Sequence, residues 1–236
     1  MTDNIINNSD KIDFKNTEHA DDDFWDYQYK NKDKISLLHK YAQELNIKKV
    51  EELYNEGLDI KSINIETFYN ALHCLAEKVY SYDSSLDVFM MVQYLIDKGL
   101  DINIGSHYDT PLFVAIKNDN VLMVDVLLRH SAEMNFIDPD GFSPLIFAIE
   151  NYNSKIAELI VRHGADVNLG IDYETPLYAA IAEQNIEIFQ LLIDKGAIIT
   201  KDCYERSGGD DLDINSEYND YERCEINRII NEIYKK

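Results

Sequence analysis

From Ile35 to about Thr200 the apolar residues fall at three-to-four spacing, the pattern of helices that bury one face. The helical runs come in pairs. Leu37-Leu38-His39-Lys40-Tyr41-Ala42 predicts a first short helix, and Val50, Leu53 and Tyr54 a second that stops at Gly57. Ala71-Leu72-His73-Cys74-Leu75-Ala76 opens a second pair that closes at Tyr94-Leu95-Ile96-Asp97-Lys98-Gly99. Three further pairs are predicted over residues 104–135, 137–168 and 169–200. A last apolar stripe, Tyr221, Cys224, Ile226, Ile229, Ile230 and Ile233, predicts a terminal helix.

The pairs are copies of one unit. Asp109-Thr110-Pro111-Leu112 returns as Phe142-Ser143-Pro144-Leu145 and Glu174-Thr175-Pro176-Leu177, with prolines spaced by 33 and then 32 residues. Each proline is followed 20 positions later by Ser131, Gly164 or Gly196. A fixed period of this length marks a stack of supersecondary units, each completing its core against its neighbours. Within a unit, the Thr or Ser hydroxyl caps a helix whose first residue is proline. Ala115, Ala148 and Ala180 recur at one position and let helices approach closely. Asn120, Asn153 and Asn185 break the chain before the second helix, and the glycine stops that helix in the left-handed region, a task Ser131 performs less comfortably. The second pair is eight residues longer than the others, and the excess is placed around Val79-Tyr80-Ser81-Tyr82-Asp83-Ser84-Ser85.

These residues resemble the ankyrin repeat family. Thr-Pro-Leu opens the first helix, Leu-Leu lies near the end of the second, and Gly164-Ala165-Asp166-Val167-Asn168 reads as the family's hairpin. The resemblance covers residues 35–200 as about five repeats, the last three most clearly. It implies an all-α solenoid of stacked helix-turn-helix units joined by β-hairpin-like turns. Only His39 and His73 keep the motif histidine, for which the resemblance implies a hydrogen bond between units. The family's turn glycine survives only as Gly141, with Tyr108 and Tyr173 in its place elsewhere. Asn103, Asn135 and Asn168 end their hairpins at equivalent positions. The resemblance makes them candidates for asparagine hydroxylation, and hydrogen bonding within the hairpin is the simpler role.

The expected organisation is one repeat domain with two tails. Residues 1–34 form an acidic, partly disordered segment in which Phe24, Trp25 and Tyr27 cap the first repeat. Residues 35–200 are the repeats, and residues 201–236 are a loop with a C-terminal capping helix. For both tails, docking onto another protein is the competing role.

Composition narrows the function. Forty-four acidic against 22 basic residues give a formal charge of −22 over 236 residues. The tails do not account for it: residues 1–34 carry 9 acids and 5 bases and residues 200–236 carry 10 and 6, leaving a net −14 for residues 35–199. Such a surface opposes nucleic acid and anionic membranes and favours a cationic protein. Three cysteines, Cys74, Cys203 and Cys224, lack the spacing of a disulfide framework or zinc site and suggest a reducing compartment. With no signal-peptide pattern and no membrane-length apolar run, the expected location is cytoplasmic, with export into a host cell by another route as the alternative.

No residue set points to catalysis, a cofactor or a metal. His130 and His163 precede helix stops, where an imidazole favours the negative end of the helix dipole. His73 and Cys74 are neighbours on a helix and point about 100° apart. Asp210-Asp211-Leu212-Asp213 lacks the glycine and closing glutamate of a calcium loop. The informative feature lies just outside the repeat signature. The turns before the three prolines carry Asp109, Asp138, Asp140, Asp172 and Glu174, with Tyr108, Phe142 and Tyr173 interleaved and no Lys or Arg. Aromatic area beside steering charge is the make-up of a protein-binding surface, and these eight are the predicted partner-binding residues. The expected function is therefore non-enzymatic: a monomer that binds and neutralises a basic protein, as an inhibitor or immunity protein would. An adaptor or secreted effector tethering host proteins is the alternative.

Overall fold

The computed structural model describes residues 22–105, 110–207 and 221–234. The described residues form helices and turns, with no strand and a single isolated bridge between Ile171 and Glu174. The predicted all-α pairing is present. The expectations for residues 1–20, Tyr108, Asp109 and the loop from Gly208 to Asp211 lie outside the described residues. The chain divides into two compact units, Met1–Ala132 and Glu133–Lys236.

The first unit holds α1 (Asp22–Lys30), α2 (Lys32–Gln43), α3 (Ile47–Asn55), α4 (Ala71–Glu77), α5 (Ser85–Asp97), α6 (Pro111–Lys117) and α7 (Val121–Arg129). The short helices α2, α4 and α6 pack in series, and each carries its partner α3, α5 or α7. The core between them is built from Leu38, Ala42, Leu72, Leu75, Met91, Leu95, Leu112 and Ala115, all essentially inaccessible. Helix α1 lies at the α2 end. Its Tyr27 hydroxyl accepts from the Asp59 amide at 2.8 Å, Gln28 accepts from the Ile63 amide at 3.2 Å, and Trp25 meets Phe68 edge-on. The extra length of the second pair falls where the sequence put it, between α4 and α5, partly as a 3-10 turn over Tyr82–Ser84.

The second unit holds α8 (Pro144–Glu150), α9 (Ser154–Arg162), α10 (Pro176–Ala182), α11 (Ile186–Asp194), α12 (Lys201–Arg206) and α13 (Tyr221–Tyr234). Here the structure adds to the sequence reading: the chain beyond Thr200 is not a loop at once. Thr200 caps α12 through the Cys203 amide, α12 packs on α10 as α10 packs on α8, and α13 packs on α11. A sixth helix pair therefore follows the fifth. The stripe on α13 is split, with Ile226 and Ile230 buried and Ile233 half exposed.

Helix starts follow the predicted chemistry. Thr110, Ser143 and Thr175 each accept from the amide three residues on, ahead of proline at the first helical position. Asn46, Asn120, Asn153 and Asn185 cap the second helices in the same way. Second helices end at Gly57, Gly99, Gly164 and Gly196 with φ between +91° and +93°, whereas Ser131 holds φ +63°. A side chain in this region carries a Cβ penalty that glycine lacks, partly offset by glycine's greater chain entropy. Ser131→Gly is therefore expected to stabilise the protein by about 1 kcal/mol. Thermal melting reads this directly, and an unchanged or lower midpoint would show that Ser131 is not strained.

The histidines have structural surroundings. His39 is buried, and desolvation pushes its pKa down to about 4 against a hydrogen bond with the Ser62 backbone. His73 completes a capping box with Asn70. His130 closes α7 by bonding the Val126 carbonyl and reaches Gln93 on α5 at 3.1 Å. Burial, then the charge of Glu77, pushes the Cys74 thiol up to about 12, so no thiolate is offered beside His73.

Candidate partner-binding face

Six of the eight predicted partner residues fall in the second unit, on two successive turns. The first turn runs from Asp138 to Phe142. Asp138 is only 5% exposed, and its carboxylate accepts from the amides of Asp140 at 3.0 Å and Phe142 at 2.8 Å. Its backbone amide donates in turn to the Phe142 carbonyl at 2.9 Å. Asp138 is thus the internal brace of the turn, since an aspartate can fold back on nearby amides as readily as face solvent. Asp140 is exposed at the tip, and Phe142 is half-buried against Phe147, edge-on at 6.3 Å.

The second turn presents Ile171, Asp172, Tyr173 and Glu174, all exposed. It is closed by the Glu174 amide donating to the Ile171 carbonyl at 2.9 Å, with Asp172 at φ +53°. The turn is tight enough that a Cβ on Gly170 would stand 2.0 Å from the Glu174 carbonyl oxygen. Tyr173 remains 48% exposed while one edge packs on Tyr178 at 5.5 Å. The two turns lean together, with Glu174 Oε2 3.6 Å from where a Cβ on Gly141 would be.

The structure gathers further residues that the turns alone did not reveal. Glu150 ends α8 three residues after Phe147, and Glu183 follows α10 as its C-cap, five residues after Tyr178. Burial, and then the charges of Glu183 and Glu174, hold the Glu150 carboxyl above the usual carboxylate range. The Tyr152 hydroxyl donates to Glu183 and is held protonated by it. From α12, the Arg206 guanidinium lies over Tyr178 at 5.6 Å. The sequence signal existed, since Glu150 and Glu183 stand six and seven residues after their prolines. It becomes readable only once the first helices are known to line the same face as the turns.

The terminal asparagines work differently from the expectation of bonds within one hairpin. Asn135 accepts from the Asp166 amide at 2.9 Å, and Asn168 accepts from the Ile198 amide at 2.9 Å while donating to the Gly196 carbonyl at 3.2 Å. Each ties its turn to the following repeat, which fixes the spacing of the face. Among the described residues no three His, Cys, Asp or Glu side chains are arranged to hold a metal, and no helix is long and apolar enough to cross a membrane.

The family model described as ankyrin repeats, three copies long, matches residues 38–138, 72–171 and 123–203. Among characterised proteins, a Fowlpox virus (strain NVSL) protein named for its ankyrin repeats, FPV031, is 35% identical over 113 residues. That alignment takes in 47% of this chain and 31% of the viral protein, so the chain matches about a third of its relative's length.

Proposed function

Since the chain belongs to the ankyrin repeat family, an all-α solenoid whose members generally serve as non-enzymatic protein–protein interaction modules, we propose that it binds and neutralises a basic protein through the turn face of its second unit. The observation that carries this reading is the meeting of Glu150, Glu174 and Glu183 beside the rings of Tyr173 and Tyr178. The charges of Glu183 and Glu174 lie close enough to raise the pKa of Glu150, an unfavourable arrangement in the free protein. A Lys or Arg side chain entering among them relieves that repulsion, while the rings supply area that water must leave. Asp140 and Asp172 extend the negative field outward and speed encounter. The free thiols Cys74 and Cys203 agree with work in a reducing, cytoplasmic setting.

The test begins with affinity capture by the intact protein and titration of the captured partner. Replacing Glu150, Glu174 and Glu183 together with glutamine is expected to weaken binding by about 100-fold at low salt and to flatten its salt dependence. The melting temperature should hold or rise, because mutual repulsion is removed. Lower pH acts in the same direction as the substitutions. Glu150, with its pKa raised in the free protein, takes up a proton before an ordinary carboxylate does, so affinity falls as pH drops from neutral through that titration. Equal affinity of the triple variant and wild type at low salt would remove the proposal.

A further inference from the structure

The inserted segment of the second repeat builds a surface that the turn face does not use. Helix α5 buries Val88, Met91, Val92 and Leu95. Its other side is apolar as well: Leu86 is 68% and Met90 48% exposed, preceded by Tyr82 at 70% and Val79 at 66%. Tyr82, Leu86 and Met90 follow one another at intervals of four, which places them in a row along one side of the 3-10 turn and helix. Neighbouring second helices α3 and α7 have no comparable row; their exposed positions are mainly Glu, Lys and Arg. Large apolar groups gathered on a soluble surface mark a contact that the free chain leaves open.

The surrounding charge says what fits. Glu77, Asp83 and Asp87 flank the row and are exposed. The adjacent cation, Lys78, is occupied: it donates to the Gln43 carbonyl at 2.7 Å and lies 5.3 Å from the Tyr80 ring. A second copy of this chain would set Asp83 and Asp87 against their own counterparts, and an anionic lipid surface would meet the same carboxylates. We propose that the row of Val79, Tyr82, Leu86 and Met90 is the docking site for an amphipathic helix of a partner protein. That helix carries apolar residues at three-to-four spacing and Lys or Arg along their edges. Met90 supplies an adaptable contact and Leu86 a shaped one, while Asp83 and Asp87 set the direction in which the helix lies. The site belongs to the first unit and is independent of the turn face.

The probe is a dye-labelled 15-residue helical peptide with leucines at intervals of three and four and lysines beside them, titrated by fluorescence anisotropy. Leu86→Ser with Met90→Ser is expected to weaken its binding by about tenfold or more, with an unchanged circular dichroism spectrum. Glu150→Gln with Tyr173→Ala is expected to leave it unaltered, which separates this site from the turn face. A peptide with glutamate in place of lysine should not bind. Equal binding by the Leu86 and Met90 variant would overturn the proposal, as would equal binding of a proline-interrupted peptide. So would wild-type dimers that the double substitution dissolves in sedimentation equilibrium. Binding to neutral phosphatidylcholine vesicles that the same substitution abolishes would reassign the row to lipid.

Discussion

Asn120→Ala is expected to destabilise the first unit by about 3 kcal/mol, roughly three times the loss from Asn46→Ala at the equivalent helix start. Both asparagines cap a second helix, Asn46 through the Lys49 amide at 3.2 Å and Asn120 through the Met123 amide at 3.1 Å. A lost cap costs about 1 kcal/mol. Asn120, however, is 1% exposed, and its amide nitrogen also donates to the carbonyls of Ala76 at 3.1 Å and Lys78 at 2.7 Å in the preceding repeat. Alanine leaves the buried Ala76 carbonyl and the part-buried Lys78 carbonyl without their donor, which adds about 1–3 kcal/mol. Urea unfolding followed by Trp25, the only tryptophan and a member of the same unit, measures both variants. Asn120→Asp sharpens the comparison. Aspartate is as good a cap, but it cannot donate and sets a carboxylate against two carbonyl oxygens. It should therefore be at least as damaging as alanine. If Asn120→Ala and Asn46→Ala cost the same, the bonds to Ala76 and Lys78 contribute nothing, and the two repeats are joined by apolar packing and the His130–Gln93 bond.

Asn120 also marks the limit of what the sequence discloses. Its place before a run of apolar residues identifies it as a helix start, because capping is local and depends on residue type and spacing. Its reach into the preceding repeat depends on where Ala76 and Lys78 come to rest after the helices stack. The same division runs through the molecule. Thr110, Ser143 and Thr175, the prolines after them, and the glycines that end the second helices are legible because each acts within one turn of chain. Helix α12 was hidden because Thr200 follows Thr175 by 25 residues, short of the repeat period, and no proline follows it. On the candidate face, Tyr173, Glu174, Asp140 and Asp172 were legible as exposed turn residues. Asp138 was not, since composition cannot tell a carboxylate that points to solvent from one that folds back on its own turn. Glu150 and Glu183 were invisible as a pair because their closeness arises only from the packing of α8 against α10.

Gly170→Ala is expected to damage stability and partner binding together, by about 2 kcal/mol and by tenfold or more in affinity. Gly170 has no need of glycine's left-handed freedom; its difficulty is space. The added Cβ would stand 2.0 Å from the Glu174 carbonyl oxygen, 2.9 Å from the carbonyl carbon and 3.0 Å from the Thr175 Cα. All three are backbone atoms, so no side chain can turn aside. To restore ordinary contact the Glu174 peptide must move by roughly 1.4 Å, from 2.0 to 3.4 Å. That motion pulls on the Glu174 amide bond to Ile171, on Tyr173 where it packs against Tyr178, and on Thr175, whose hydroxyl caps α10. Gly164→Ala provides the contrast. It places a Cβ at φ +93° with no atom within 4 Å, so it carries the conformational penalty of about 1 kcal/mol alone and leaves the turn undisturbed. Thermal melting and partner titration of the two variants separate the effects. Gly164→Ala should lower the midpoint while keeping affinity, and Gly170→Ala should lower both. A Gly170→Ala protein that is destabilised yet binds as wild type does would mean that the partner does not depend on the position of Tyr173 and Glu174 in this turn.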